Sequence, residues 1–218
     1  MAQVMPPERR AALAAVAQQH NLMDVEDDIA ARCIVNPPAP IAILMPKNRV
    51  YLTSLSKAVA PGLRIGCPSA PPDLLKRQAS IVDASACMAT PISAKLATKW
   101  IEDGTAEKIL DSRRAEAVAR LKLATAKLGH HSISATPGCH HIWLALPDPW
   151  PATDYTEEAK RRGIVIAPAE IFIAGRSNAP YTARICIGTP RQRKKLDYAL
   201  DVLAEILLGL NMRDITMV

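Results

Sequence analysis

The segment Val50 to Gly66, VYLTSLSKAVAPGLRIG, limits the folds open to this chain more than any other stretch. Val50-Tyr51-Leu52 is an apolar strand run, Ser54 and Ser56 make a hydroxyl-rich turn, and Lys57 follows directly. Pro61-Gly62 stops any helix begun at Ser54 almost at once. A strand must therefore hand its polar residues to a tight turn at its carboxyl end, where open α/β sheets collect ligands. Two hydroxyls and the Arg64 guanidinium beside a primary amine suit a phosphorylated aldehyde. The cation and hydroxyls bind the dianion, and the amine can form an imine with the carbonyl.

The flanking sequence supplies the rest of a layered fold. Pro6-Pro7-Glu8 opens a helix whose apolar positions recur through Leu13, Val16 and Ala17 and end near His20-Asn21. Leu22 to Val25 reads as a short strand that delivers Glu26-Asp27-Asp28 at its carboxyl end. A Pro-rich loop (Asn36 to Pro40) separates it from the Val50 strand. Leu63 to Gly66 is expected to be another strand, and Pro71 to Gln78 a short helix. Strands alternating with helices predict an α/β layer with a largely parallel sheet. From Cys87 to Gly129 the pattern is helical with a break at Asp103-Gly104, which leaves one kinked helix or two in sequence. After Gly129 the texture changes to short strands at His141 to Leu146, Ile164 to Ile166 and Ala183 to Ile187. Helices near Thr153 to Arg162 and Pro190 to Leu208 interrupt them, giving a smaller α+β domain.

Composition removes several function classes. Apolar residues make up 49% of the 218 positions, so the chain is globular rather than disordered. The net charge of +6 is spread along helices (Arg9-Arg10, Arg113-Arg114, Arg161-Arg162, Arg191 to Lys195) without aromatic interleaving. That pattern describes solvated helix faces better than a nucleic-acid surface. Five scattered cysteines with no CxxC favour reduced thiols in the cytoplasm, and Cys67 and Cys87 are expected to be buried small hydrophobes. No apolar run is long enough to span a bilayer, and MAQVMPPERR has no signal-peptide core.

The residues also offer two chemical alternatives. Ser54-x-x-Lys57 has the spacing of the serine nucleophile in penicillin-recognising enzymes. That motif opens a helix and needs Ser-Asp-Asn and Lys-Thr-Gly partners, and neither tripeptide occurs. His130-His131 and Cys139-His140-His141 could gather zinc. Adjacent strand residues face opposite sides, however, so only one of each histidine pair could converge. A strand edge or pocket lining is the better expectation.

The block Ser54-x-Ser56-Lys57, then Arg64-x-Gly66, with Val25-Glu26-Asp27-Asp28 upstream, resembles fold-type-I pyridoxal-phosphate enzymes of aminotransferase class I/II. APGLRIG, and the VEDD strand followed by a Pro-rich loop, are most similar to the aminotransferase-like domain of MocR-type regulators of the GntR family. TPGCHHIWLALP, GIVIAPAEIF and ARICIGTP look like small-domain segments of the same family. The resemblance implies a partial aspartate aminotransferase-like α/β fold. Residues 1–100 would be the latter part of the cofactor-binding large domain, and residues 101–218 the small carboxyl-terminal domain.

It also implies roles. Lys57 would carry pyridoxal 5'-phosphate covalently and move the proton at the substrate α-carbon. Arg64, Ser54 and Ser56 would hold the phosphate, Asp27 would keep the ring nitrogen protonated, and Arg184 would clamp the substrate carboxylate. The implied substrates are an amino acid and a 2-oxo acid, and the implied assembly is a homodimer. Two departures bear on activity. The tyrosine the family places shortly after the Asp27 position is absent, since Asp27 is followed by Asp28-Ile29-Ala30-Ala31. The resemblance also begins within the large domain, so the chain is expected to be the carboxyl-terminal portion of a longer protein, without a DNA-binding winged helix. The alternative function is a non-catalytic effector-binding domain of a MocR-type regulator.

Overall fold

The computed structural model describes residues 3–147, 150–174 and 180–215, with side chains as far as Gly209. The chain divides into two compact units that part between Arg114 and Ala115.

The first unit opens with α1 (Pro7–Gln19), set by proline at its start. Its Ala14 packs with Ile41 and Met45. Strand β1 (Asp24–Asp27) pairs in parallel with β2 (Arg49–Ser54), placing Asp27 opposite Leu52. Glu26 ties this region together. Its carboxylate accepts hydrogen bonds from the Ile41 and Ala42 amides at 3.2 and 3.0 Å and from Arg10 Nη1 at 3.0 Å. The helix, the strand and the following turn thus share one half-buried anion, which fixes the strand that carries Asp27.

Strand β2 ends in a one-turn helix α2 (Leu55–Ala58). Ala58 and Val59 are buried with Cys33 and Leu110, anchoring that turn from beneath. Strand β3 (Gly66–Ser69) returns antiparallel to β2, with Ser54 opposite Gly66. The three-stranded sheet, in the order β1-β2-β3, is therefore mixed rather than largely parallel. The reason is the short connection from Ser54 to Gly66, which is too short for a parallel crossover. The strand expected over Leu63 to Gly66 starts only at Gly66. Pro61–Leu63 is a 3₁₀ turn, and Arg64 takes the left-handed conformation at φ 53°, ψ 37° to reverse the chain.

Helix α3 (Pro72–Ala86) is longer than expected and buries none of its residues. Strand β3 is likewise exposed throughout. Cys67 and Cys87 are therefore exposed, contrary to expectation: Cys67 lies on the uncovered edge strand, and Cys87 ends α3 at φ 57°. Helices α4 (Pro91–Glu102) and α5 (Thr105–Leu128) are separate. Gly104 at φ 75° makes the break, and Asp103 Oδ1 caps the Thr105 amide at 2.9 Å. Among the described residues no helix is long and apolar enough to cross a membrane.

The second unit is a four-stranded antiparallel sheet in the order β4-β5-β7-β6, built from β4 (Ile133–Ser134), β5 (His141–Ala145), β6 (Ala167–Pro168) and β7 (Thr182–Cys186). Both long strands alternate strictly in burial. Ile142, Leu144, Ala183 and Ile185 enter a core with Ala124, Leu128, Tyr155 of α6 (Ala152–Arg161), and Leu196, Leu200 and Leu203 of α7 (Arg193–Ile215). The other face carries His141, Trp143, Arg184 and Cys186. Arg120, only 7% exposed, satisfies its charge with Glu116 and with the Ile187 and Pro190 carbonyls.

Candidate functional site

The turn after β2 gathers most of the expected site. Ser54 ends the strand in extended geometry and caps α2, its Oγ accepting from the Ser56 amide at 3.3 Å. The hydroxyl proton of Ser54 is left for another acceptor. Arg64 returns over the same turn: Nη1 donates to Ser56 Oγ at 3.5 Å and to the Pro61 carbonyl at 3.4 Å. Among the described residues it meets no carboxylate. Arg64 and Lys57 are both exposed, and Ala58 and Val59 hold their turn rigid from below.

Asp27 sits one parallel strand away, at the carboxyl end of β1. It is exposed and, among the described residues, accepts a long 3.4 Å bond from the Ile29 amide. Asp27 and Ser54 line one groove of about 460 Å³ with Leu52, Gly66, Ile81 and Val82. Ser56, Lys57 and Arg64 are not among the residues lining that groove. The structure thus brings Ser54, Ser56 and Arg64 together around one turn with Lys57, and sets Asp27 and Ser54 on a common hollow.

The donor set fits a phosphate monoester. It offers a guanidinium without a carboxylate partner, two hydroxyls on one turn, and an amine on the same turn that can bond covalently to an aldehyde.

Sequence reasoning passed over Tyr51, whose hydroxyl donates to Asp28 Oδ2 at 3.2 Å. Burial pushes both groups up, the Asp28 carboxyl and the Tyr51 phenol alike. A tyrosine is absent from the segment after Asp27, but one arrives from the neighbouring strand and is engaged by Asp28.

Arg184 belongs to the second unit. It is half-buried, with its guanidinium 4.3 Å from the centre of the Phe172 ring. Trp143, its direct cross-strand neighbour, meets Phe172 edge-on at 5.4 Å. Arg184 therefore lies against an aromatic wall that the sequence pattern could have suggested only through the strand alternation. Two positions along the same face, His141 stands opposite Cys186. Among the described residues no group of three His, Cys, Asp or Glu side chains is arranged to hold a metal ion.

No family model matches the chain. It is 26% identical over 203 residues to the uncharacterized HTH-type transcriptional regulator YdeF of Bacillus subtilis, covering 93% of this chain and 44% of that protein. It is 30% identical over 181 residues to aromatic-amino-acid aminotransferase 1 of Thermococcus litoralis, covering 79% of this chain and 43% of that one. Among solved structures, Pyrococcus horikoshii kynurenine aminotransferase, in complex with PMP, superposes with a TM-score of 0.84 at 24% identity. That match covers 94% of this chain and 52% of the other. The chain spans less than half the length of the curated relatives it matches. The structural likeness establishes the fold.

Proposed function

Since this chain is a partial fold-type-I aminotransferase-like domain, we propose that it serves a pyridoxal-phosphate-dependent aminotransferase, exchanging an amino group between an amino acid and a 2-oxo acid. The observation that carries this reading is the meeting of Arg64 with Ser56 over the Lys57 turn. Pyridoxal phosphate supplies a carbonyl for amines and a ring that withdraws electrons from the α-carbon of a bound amino acid.

The chain's own residues do the rest. Arg64 neutralises phosphate charge, and the Ser54 and Ser56 hydroxyls orient it. Lys57 Nζ would hold the coenzyme aldehyde covalently, and the same amine would move the proton at the substrate α-carbon. Asp27, at the carboxyl end of its strand, would favour a proton on the coenzyme's ring nitrogen by its charge. Arg184 takes the substrate carboxylate in a two-pronged bond, with the Phe172 face limiting the directions its guanidinium can adopt. We assign the chain to the cytoplasm and to a homodimer. The scattered free cysteines favour the first, and the family resemblance favours the second.

A second reading is favoured by the HTH-type regulators among the relatives: an effector-binding domain that holds the coenzyme and senses an amine without turnover. The two separate in one assay. With coenzyme added, the protein is given an amino acid and a labelled 2-oxo acid, and transfer of the amino group is followed. Transfer that is lost in Lys57→Ala supports the enzyme. Coenzyme binding without transfer supports the sensor.

A further inference from the structure

The face of the second sheet opposite its core carries a thiol that the aminotransferase reading leaves without a task. Cys186 ends β7 directly across from His141 on β5, and in an antiparallel pair such side chains lie within about 5 Å at Cβ. The imidazole hydrogen-bonds both this thiol and that of Cys139. Thr189 Oγ1 adds a bond to Cys186 Sγ at 3.0 Å. Cys186, unlike Cys139, also borders a groove of about 740 Å³ beside α7, whose walls include Ile164, Val165, Ile166, Pro190 and Tyr198. The thiol itself is half-buried.

We propose that Cys186, with His141 as its partner, is a covalent-modification site for soft carbon electrophiles of the α,β-unsaturated carbonyl class that bear an apolar group. The Cys186 sulfur bonds to the β-carbon as the carbon–carbon π bond breaks. The electron pair passes to the α-carbon, which takes a proton from the His141 imidazolium. The products are a thioether and neutral imidazole, and no oxidant is needed. The groove receives the apolar group.

Charge supports the arrangement. Burial raises the Cys186 thiol, but bonds from His141 and Thr189 and the imidazolium charge outweigh it and bring the thiol down to about 6. The Cys139 and Cys186 thiols together raise His141 to about 9. Cys139, lowered chiefly by the same imidazole, competes for it. Arg184 on β7 also acts on His141 and lowers it, and Lys194 and Lys195 of α7 are among the residues lining the groove.

The test is peptide-mapped labelling of the full chain with N-ethylmaleimide from pH 5 to 9, with the exposed Cys67 and Cys87 as internal references. At pH 6 Cys186 is expected to react about tenfold faster than either. Its larger thiolate fraction outweighs the lower intrinsic reactivity of a low-pKa sulfur. In His141→Gln the midpoint of its profile rises to about 8.5 or above and the advantage disappears. N-cyclohexylmaleimide should be favoured over N-ethylmaleimide more at Cys186 than at Cys67. Equal rates at the three cysteines at pH 6, or a profile unmoved in His141→Gln, would overturn the proposal. Should that variant not fold, the wild-type profile against Cys67 and Cys87 decides alone.

Discussion

Arg64 Nη1 stands 3.5 Å from Ser56 Oγ because Arg64 adopts a left-handed backbone that folds its side chain back over the turn. An L-residue with a long side chain carries a cost of about 1–2 kcal/mol in that conformation. Strain of this kind persists only where the surrounding chain fixes it, and here Pro61 and the pairing of β3 do so. The turn combines local instability with a converged cation and hydroxyl, as expected of a binding element rather than a stabilising one.

Arg64→Gly separates the two roles. Glycine accepts the left-handed backbone, so the melting midpoint should stay level or rise slightly, the relieved strain offsetting glycine's extra freedom when unfolded. Affinity for pyridoxal phosphate should fall by about 10- to 100-fold, the weight of one charge-assisted contact of about 1.5–3 kcal/mol. Titration of the coenzyme's absorbance measures the second quantity. Unchanged affinity would remove Arg64 from the phosphate site.

Glu26 holds α1, β1 and the Ile41 turn at once. Glu26→Ala leaves the Ile41 and Ala42 amides without their acceptor, and Arg10 with only the Met5 and Ala39 carbonyls, and should cost about 2–4 kcal/mol by denaturant unfolding. A loss below about 0.5 kcal/mol would mean that water replaces the carboxylate freely.

Bonds from Arg193 and Arg120 hold the Glu116 carboxyl down at about 2, from an ordinary 4.5. The folded state thus binds fewer protons than the unfolded state between those values. The stabilisation is complete above pH 4.5 and is lost as pH falls toward 2. Because this carboxylate is about a third exposed, screening reduces its contribution to about 1 kcal/mol. Glu116→Gln should therefore be less stable than the wild type at pH 7 and converge with it near pH 2. Parallel curves across that range would contradict the assignment.

Phe172→Leu removes the ring that faces the Arg184 guanidinium. A contact of about 0.5–1 kcal/mol predicts a roughly two- to fivefold rise in KM for the amino acid, with kcat little changed. A fall in kcat at constant KM would give Phe172 a different role.

Features set by neighbours in sequence were legible, and those set by distant ones were not. The Lys57 turn could be read because hydroxyls, Pro61 and Gly62 act within a few residues. Gly104 likewise marked the break between α4 and α5. The left-handed Arg64 was invisible, since no glycine or asparagine announced it, and β3 was placed too early in consequence. The exposure of Cys67 and Cys87 depends on what covers β3 and α3, which composition does not encode. The meeting of His141 with Cys186 depends on sheet register, and that of Arg184 with Phe172 on how the 3₁₀ turn Ala169–Phe172 folds against β7. Alternation along β5 and β7 told which residues share a face but not which stand opposite each other.

The central claim is that Lys57 binds the coenzyme, and borohydride trapping tests it most directly. The purified chain, incubated with pyridoxal phosphate, reduced and digested, should carry the phosphopyridoxyl mass on the peptide containing Lys57. Lys57→Ala should lose both that mark and the visible absorbance. A label scattered over surface lysines, or colour retained in Lys57→Ala, would contradict the account.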